Sequence, residues 1–227
     1  MDAAQNASKR APPDVRLVAV SKGFPAAAVV QAIDAGQYHF GENYVREAVD
    51  KIALVKSARP DAPTVWEFIG PIQSNKTGAI AEHFDWVHSV DRAGVARRLS
   101  EQRQVGFSPL NVLIQVNIGG EASKNGIAPE QLGQLAGEIV ALPRLRLRGL
   151  MTIPAPGDSF EAQRRSFATL EQLAEQLVAF GIASPELSMG MSDDLEAAIA
   201  EGASIVRVGT AIFGRRIVEK PSAEKTQ

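Results

Sequence analysis

Arg16-Leu-Val-Ala-Val-Ser-Lys22-Gly23-Phe24-Pro25 reads as one unit: an apolar, β-branched run, a turn of small residues, and a proline suited to the first turn of a helix. The residues that follow, up to Gly36, keep helical spacing and stop where a left-handed cap is expected. The same phrase recurs along the chain. Strands are expected over 16–22, 38–42, 65–70, 86–90, 111–118, 145–153, 186–190 and 205–209. Helices are expected over 25–35, 44–56, 75–82, 92–104, 129–141, 160–180 and 193–201. Several strand runs are almost continuously hydrophobic, which fits parallel strands buried on both faces. Alternation of this kind predicts an α/β fold with crossover helices. Eight repeats favour closure into a single (β/α)8 TIM barrel over an open sheet.

Helix-end chemistry agrees with these boundaries. Pro25 and Pro129 suit first-turn positions, Asp91 and Ser192 are candidate N-caps, and Gly36, Gly181 and Gly202 are candidate C-terminal caps. No linker or low-complexity stretch divides residues 1–227, so one domain is expected, with a short extension over 1–14 and a polar, fraying tail over 220–227.

Composition narrows the chemistry. Hydrophobic residues make up 45% of the 227, enough for a sizeable core. Twenty-four Lys and Arg stand against 26 Asp and Glu, a net charge of −2, which offers no basic field for nucleic acid or an anionic membrane. The absence of cysteine excludes disulfides, thiolate metal sites and a cysteine nucleophile. His39, His83 and His88 show no metal-binding spacing. The polar start of the chain does not resemble a secretory signal, and no apolar run approaches the roughly 18 residues needed to span a bilayer. A cytoplasmic protein is expected.

In a barrel of this type, the strands' C-terminal ends form the working face. Lys22 closes the first strand between Ser21 and Gly23. Partial desolvation there would lower its pKa and favour attack on an aldehyde, whereas position alone describes a strand-end lysine reaching for solvent. Met189-Gly190-Met191-Ser192 and Arg207-Val208-Gly209-Thr210 follow the seventh and eighth strands, where barrels often bind phosphate. Tight turns and a Ser192 cap account for the same residues equally well. Asp193 and Asp194 would repel an anion unless they point outward. Arg207, if inside the barrel, needs a carboxylate or a phosphate as acceptor. Asn43 either caps the next helix or projects over a bound ring. The stretch from Gly70 to Thr77 misses a P-loop, because Asn75 replaces its second glycine and Pro71 lacks an N–H; Asn75 reads better as a helix cap. No Gly-x-Ser-x-Gly elbow and no zinc-binding His–Glu-x-x-His helix occurs.

From about Val15 to Arg215 the chain resembles the pyridoxal phosphate homeostasis protein family, single-domain relatives of the alanine racemase N-terminal barrel. The matching segments, in order, are Leu17-Val-Ala-Val-Ser-Lys22, Phe40-Gly-Glu-Asn-Tyr44, Phe68-Ile-Gly-Pro-Ile-Gln-Ser-Asn-Lys76, Leu147-Arg-Gly-Leu-Met151, Leu187-Ser-Met-Gly-Met-Ser-Asp-Asp194 and Val206-Arg-Val-Gly-Thr-Ala-Ile-Phe-Gly214. The resemblance implies a monomeric or weakly associating barrel that holds pyridoxal 5'-phosphate (PLP) as a Schiff base on Lys22. It implies a phosphate site at Ser192, Gly209 and Thr210 with Arg207 nearby, and a pocket lined by Asn43, Met189 and Gly190. The implied role is intracellular vitamin B6 homeostasis and the linked amino and keto acid balance, without established turnover and with PLP-dependent apo-enzymes as recipients. Three departures stand out: Gly23 where many relatives have Thr, Glu67 where His commonly precedes Phe-Ile-Gly, and only about 15 residues before the first strand, which implies a shortened N-terminal helix.

The alternative is a PLP-dependent amino-acid racemase. Such racemases take a second base, a tyrosine, from an added β-domain; here about 18 residues follow the last strand, and Tyr38 and Tyr44 lie near strand 2. A Schiff-base aldolase without cofactor would use Lys22 but leave the phosphate-suited loops without a purpose.

Overall fold

Eight parallel strands close in chain order into a barrel, each followed by a helix. The computed structural model describes residues 15–121, 125–155 and 159–215. The expected extension over 1–14 and tail over 220–227 lie outside these residues. The first half runs β1 (Arg16–Val20), α1 (Ala26–Asp34), β2 (His39–Glu42), α2 (Val45–Ala58), β3 (Val65–Phe68), α3 (Thr77–His83), β4 (Trp86–Val90) and α4 (Ala93–Gln102). The second runs β5 (Leu110–Gln115), α5 (Leu132–Val140), β6 (Leu145–Met151), α6 (Phe160–Ala174), β7 (Glu186–Ser188), α7 (Leu195–Ala200), β8 (Ile205–Val208) and a short α8 (Thr210–Phe213). Closure is made by β1 pairing with β8, Arg16 opposite Ile205 and Ala19 opposite Val208.

The hydrophobic runs behave as parallel strands should. Every residue of β4 is buried, because the lumen lies on one face and the helices on the other. The helices bury one face each: α5 turns Leu132, Leu135, Ala136 and Ile139 inward, a spacing of three and four that repeats each turn. Each such branched side chain contributes about 1.5–3 kcal/mol on burial. A second, smaller cluster of Val18, Trp86, Leu113, Met151 and Ile205 comes from five strands and fills part of the lumen.

Most expected strands are one to three residues shorter at their C-terminal ends, because there the backbone leaves the ladder to shape the working face. Gly36, Gly181 and Gly202 take positive φ, as their capping role requires. The N-cap expectations are corrected. Arg92 stands at the start of α4 and Asp91 pairs with it at 2.6 Å; Asp194, not Ser192, stands at the start of α7. Asn75 lies within a 3-10 turn over Ser74–Lys76, and the turn's link to α3 is Thr77 Oγ1 donating to the Ser74 carbonyl at 3.0 Å.

Candidate functional site

The turn after β1 is fastened from α2. Ser21 is fully buried; its N–H donates to the Gly41 carbonyl at 3.0 Å, its hydroxyl to Glu42 Oε1 at 2.7 Å, and its carbonyl accepts from Lys51 Nζ at 2.7 Å. Lys51 is buried, and its ammonium also meets Glu42 Oε1 at 2.6 Å and Glu47 Oε1 at 2.9 Å. Glu47 Oε1 in turn accepts the Gly23 N–H at 2.6 Å. Gly23 sits at φ +75°, a region where a β-carbon is strained. Both neighbours of Lys22 are therefore pinned, and Lys22 itself is half-buried. Burial pushes the Glu42 carboxyl up, against the hydrogen bonds from Lys51 and Ser21. None of this clamp was apparent from the sequence; the i, i+4 spacing of Glu47 and Lys51 on a helix was its one available signal.

The loops after β7 and β8 stand beside that turn. A β-carbon at Gly209 would lie 3.3 Å from the Val20 carbonyl, and the Phe24 and Phe213 rings pack at 5.1 Å between centroids. Gly190 takes φ +92°, and a β-carbon there would come 2.6 Å from that of Ala198, so only glycine lets α7 approach this closely. The Arg207 backbone N–H donates to the Gly190 carbonyl at 3.0 Å, tying the loop after β7 to β8. The side chain of Met189 is buried in the core shared by sheet and helices, which leaves only its backbone for the working face. Ser192 and Thr210 are exposed. Asp194 folds its carboxylate back onto the Met191 N–H at 2.6 Å, taking one of the donors that an anion at this loop would use. Beyond the charge repulsion expected of Asp194, the structure adds competition with an anion for a backbone N–H.

Asn43 completes the run on the far side, after β2. It does not cap α2, whose N-cap is Tyr44; its Oδ1 is buried without a hydrogen-bond partner, as is Glu42 Oε2. Tyr44 is exposed beside it. From β2 through β1 and β8 to β7, then, four adjacent strand ends bring Asn43, Lys22, Gly209, Thr210, Gly190 and Ser192 onto one edge of the working face.

Below this edge the lumen is polar. Glu67, fully buried, accepts from His39 Nδ1 at 2.7 Å and lies 2.7 Å from His88 Nε2 on its other oxygen. Arg16 Nε stands 3.8 Å from it. His88 Nδ1 meets Ser188 Oγ at 2.9 Å, and Arg207 donates to Ser188 Oγ at 2.6 Å and to the Thr152 carbonyl at 2.9 Å. Arg207 is inside the barrel, as expected, but its acceptors are a hydroxyl and a carbonyl. Burial lowers its pKa to about 10, against the attraction of Asp194 and Glu67. Ser188, His88 and Glu67 have the side-chain types of a hydrolytic triad, yet all three are fully buried and the serine oxygen is occupied by Arg207. The two histidines approach opposite oxygens of Glu67, so they do not converge on a common point. Among the described residues no cluster of three or more such groups could hold a metal, and no helix is long and apolar enough to cross a membrane.

Comparison with known proteins returns a coherent set. The family model described as alanine racemase, N-terminal domain, matches residues 3–216. The pyridoxal phosphate homeostasis protein of Pseudomonas aeruginosa is 56% identical over 97% of this chain and 93% of its own length. That of Escherichia coli K12 is 50% identical over 97% and 94%. The structure of PipY from Synechococcus elongatus with PLP bound superposes with a TM-score of 0.79 at 40% identity, covering 89% of this chain and 94% of that one. On this likeness across nearly the whole length, and on a closed eight-stranded barrel of the same kind, the chain belongs to the pyridoxal phosphate homeostasis protein family, built on the alanine racemase N-terminal domain.

Proposed function

We propose that the chain binds pyridoxal 5'-phosphate at the C-terminal face of the barrel as a Schiff base on Lys22, and that it stores or delivers the cofactor without turning a substrate over. The observation that carries this reading is the junction of β1 and β8, where Gly209 lies against Val20 and Phe24 against Phe213, so that a lysine and a phosphate-suited loop share one edge. The residues fit such a ligand. Asn43 Oδ1 and Glu42 Oε2 are buried acceptors without a partner, and the backbone at Gly190 leaves no room for a side chain. In this reading Lys22 is the residue that would hold the cofactor through its aldehyde. Ser192, Gly209 and Thr210 hold the phosphate by hydroxyls and backbone N–H groups, with the Arg207 charge nearby. Asn43, Gly190 and the backbone of Met189 line the pocket. PLP itself supplies an aldehyde and an electron-withdrawing ring.

The names of the relatives and the PLP-bound state of PipY support a role in vitamin B6 homeostasis and the linked amino and keto acid balance. In this role the chain acts as a cytoplasmic monomer and PLP-dependent apo-enzymes receive the cofactor. The test is direct. Purified protein mixed with PLP should turn yellow, and borohydride should fix the adduct on the peptide containing Lys22; Lys22→Ala should do neither. A wild-type protein that stays colourless at saturating PLP would end the proposal. Lys22-dependent exchange of an amino acid's α-proton would favour the racemase instead.

A further inference from the structure

Lumens of such barrels are commonly packed with branched apolar side chains. Here a one-directional chain of polar groups runs from Glu67 up to Arg207. The carboxylate of Glu67 can only accept, so a proton on His88 Nε2 is the favourable form for the two atoms that stand 2.7 Å apart, a close contact outside hydrogen-bond alignment. Burial holds the His88 pKa down, against the pull of Glu67, which keeps the ring neutral with its lone pair on Nδ1. Ser188 must then donate its O–H to Nδ1 at 2.9 Å, which turns its own lone pairs toward the Arg207 guanidinium at 2.6 Å. The second arm of that guanidinium ends on the Thr152 carbonyl at 2.9 Å, just beyond the last residue of β6 and so at the level of the working face. All four side chains are buried, so a reversed link would leave a donor or an acceptor shielded from bulk solvent.

We infer that Glu67, His88 and Ser188 are positioning residues that orient the Arg207 guanidinium against the underside of the bound ligand. The inference rests on the PLP reading above. An obligate acceptor at the far end, Glu67, fixes the direction of every link above it.

The experiment is a double-mutant cycle on PLP binding, followed by the Kd and by the maximum of the visible Schiff-base band. Ser188→Ala removes a single hydroxyl from the middle of the chain and is the variant best able to keep the fold; Glu67→Gln tests the far end. Each should weaken PLP about tenfold, the order expected for one hydrogen bond to a charged group, and shift the band the same way. In an Arg207→Met background neither should add a further loss, because both act through that guanidinium. If Ser188→Ala leaves affinity and band unchanged, or costs as much in the Arg207→Met background, the inference falls while the PLP reading stands. If wild-type protein forms no adduct reducible at Lys22, both fall.

Discussion

Replacing Glu67 by Gln removes one charge from the barrel interior at almost constant volume. Burial alone would raise the pKa of this carboxyl, but the hydrogen bond from His39, the close polar contact with His88 and the charge of Arg16 outweigh it, taking it from 4.5 to about 2. A depressed carboxyl pKa stabilises the fold above the unfolded value, and that stabilisation is lost as the pH falls from 4.5 toward 2. The gap of about 2.5 units, at about 1.4 kcal/mol each, amounts to about 3.5 kcal/mol. Urea midpoints measured from neutral pH down to about pH 3 should therefore show the wild type losing stability faster than Glu67→Gln below pH 4.5, by up to about 1.4 kcal/mol per pH unit, with unchanged m-values. At neutral pH the variant should be weaker by about 3–5 kcal/mol, since His39, His88 and Arg16 keep their places without their acceptor charge. His88 adds acid sensitivity of its own: burial holds its folded pKa below the ordinary value, so unfolded protein takes up that proton first and stability falls as the pH drops through 6.5. Glu67 pulls the His88 pKa up, so this part of the loss is at least as large in Glu67→Gln. Parallel stability curves between pH 5 and pH 3 would refute the assignment of a buried, ionised Glu67.

Three further substitutions probe the site. Lys51→Met should cost about 3–5 kcal/mol in chemical denaturation, because it leaves Glu42 buried without its cation; a loss below about 1 kcal/mol would contradict the clamp on the Lys22 turn. Gly190→Ala combines a left-handed backbone with a 2.6 Å overlap on Ala198, so a loss of about 2–4 kcal/mol and weaker PLP binding are expected by urea titration and absorbance. Gly23→Thr places a β-branched residue at φ +75°; about 1–2 kcal/mol of destabilisation should accompany slower formation of the Lys22 adduct, and a neutral effect would show that the turn refolds around threonine.

The legible and the hidden parts of this protein divide along one line. The run from Leu17 to Val20 announced a buried strand, and Leu132, Leu135 and Ile139 a packed helix face, because periodicity and burial are local consequences of residue order. The ordered family segments likewise singled out Lys22, Asn43, Gly190 and Gly209 before any coordinates. The helix caps were misread at Asp91 and Ser192, since a side chain's choice of partner within one turn depends on what else it meets: Arg92 for Asp91, and for Ser192 the Asp194 side chain that reaches the Met191 N–H instead.

By itself, then, the sequence determined the repeat of strand and helix, their number, and the strand ends on which a lysine and phosphate-suited loops would stand. Only closure of the barrel decided that the strand leading to Lys22 lies beside the strand leading to Gly209, since β1 and β8 are the two ends of the sheet and meet through hydrogen bonds that no local pattern encodes. Closure also set His88 against Ser188 across 100 residues of chain, and Lys51 beneath Ser21 across 30. Such contacts arise because buried polar groups must find partners wherever the packed core leaves them, and that geometry exists only once the core has formed.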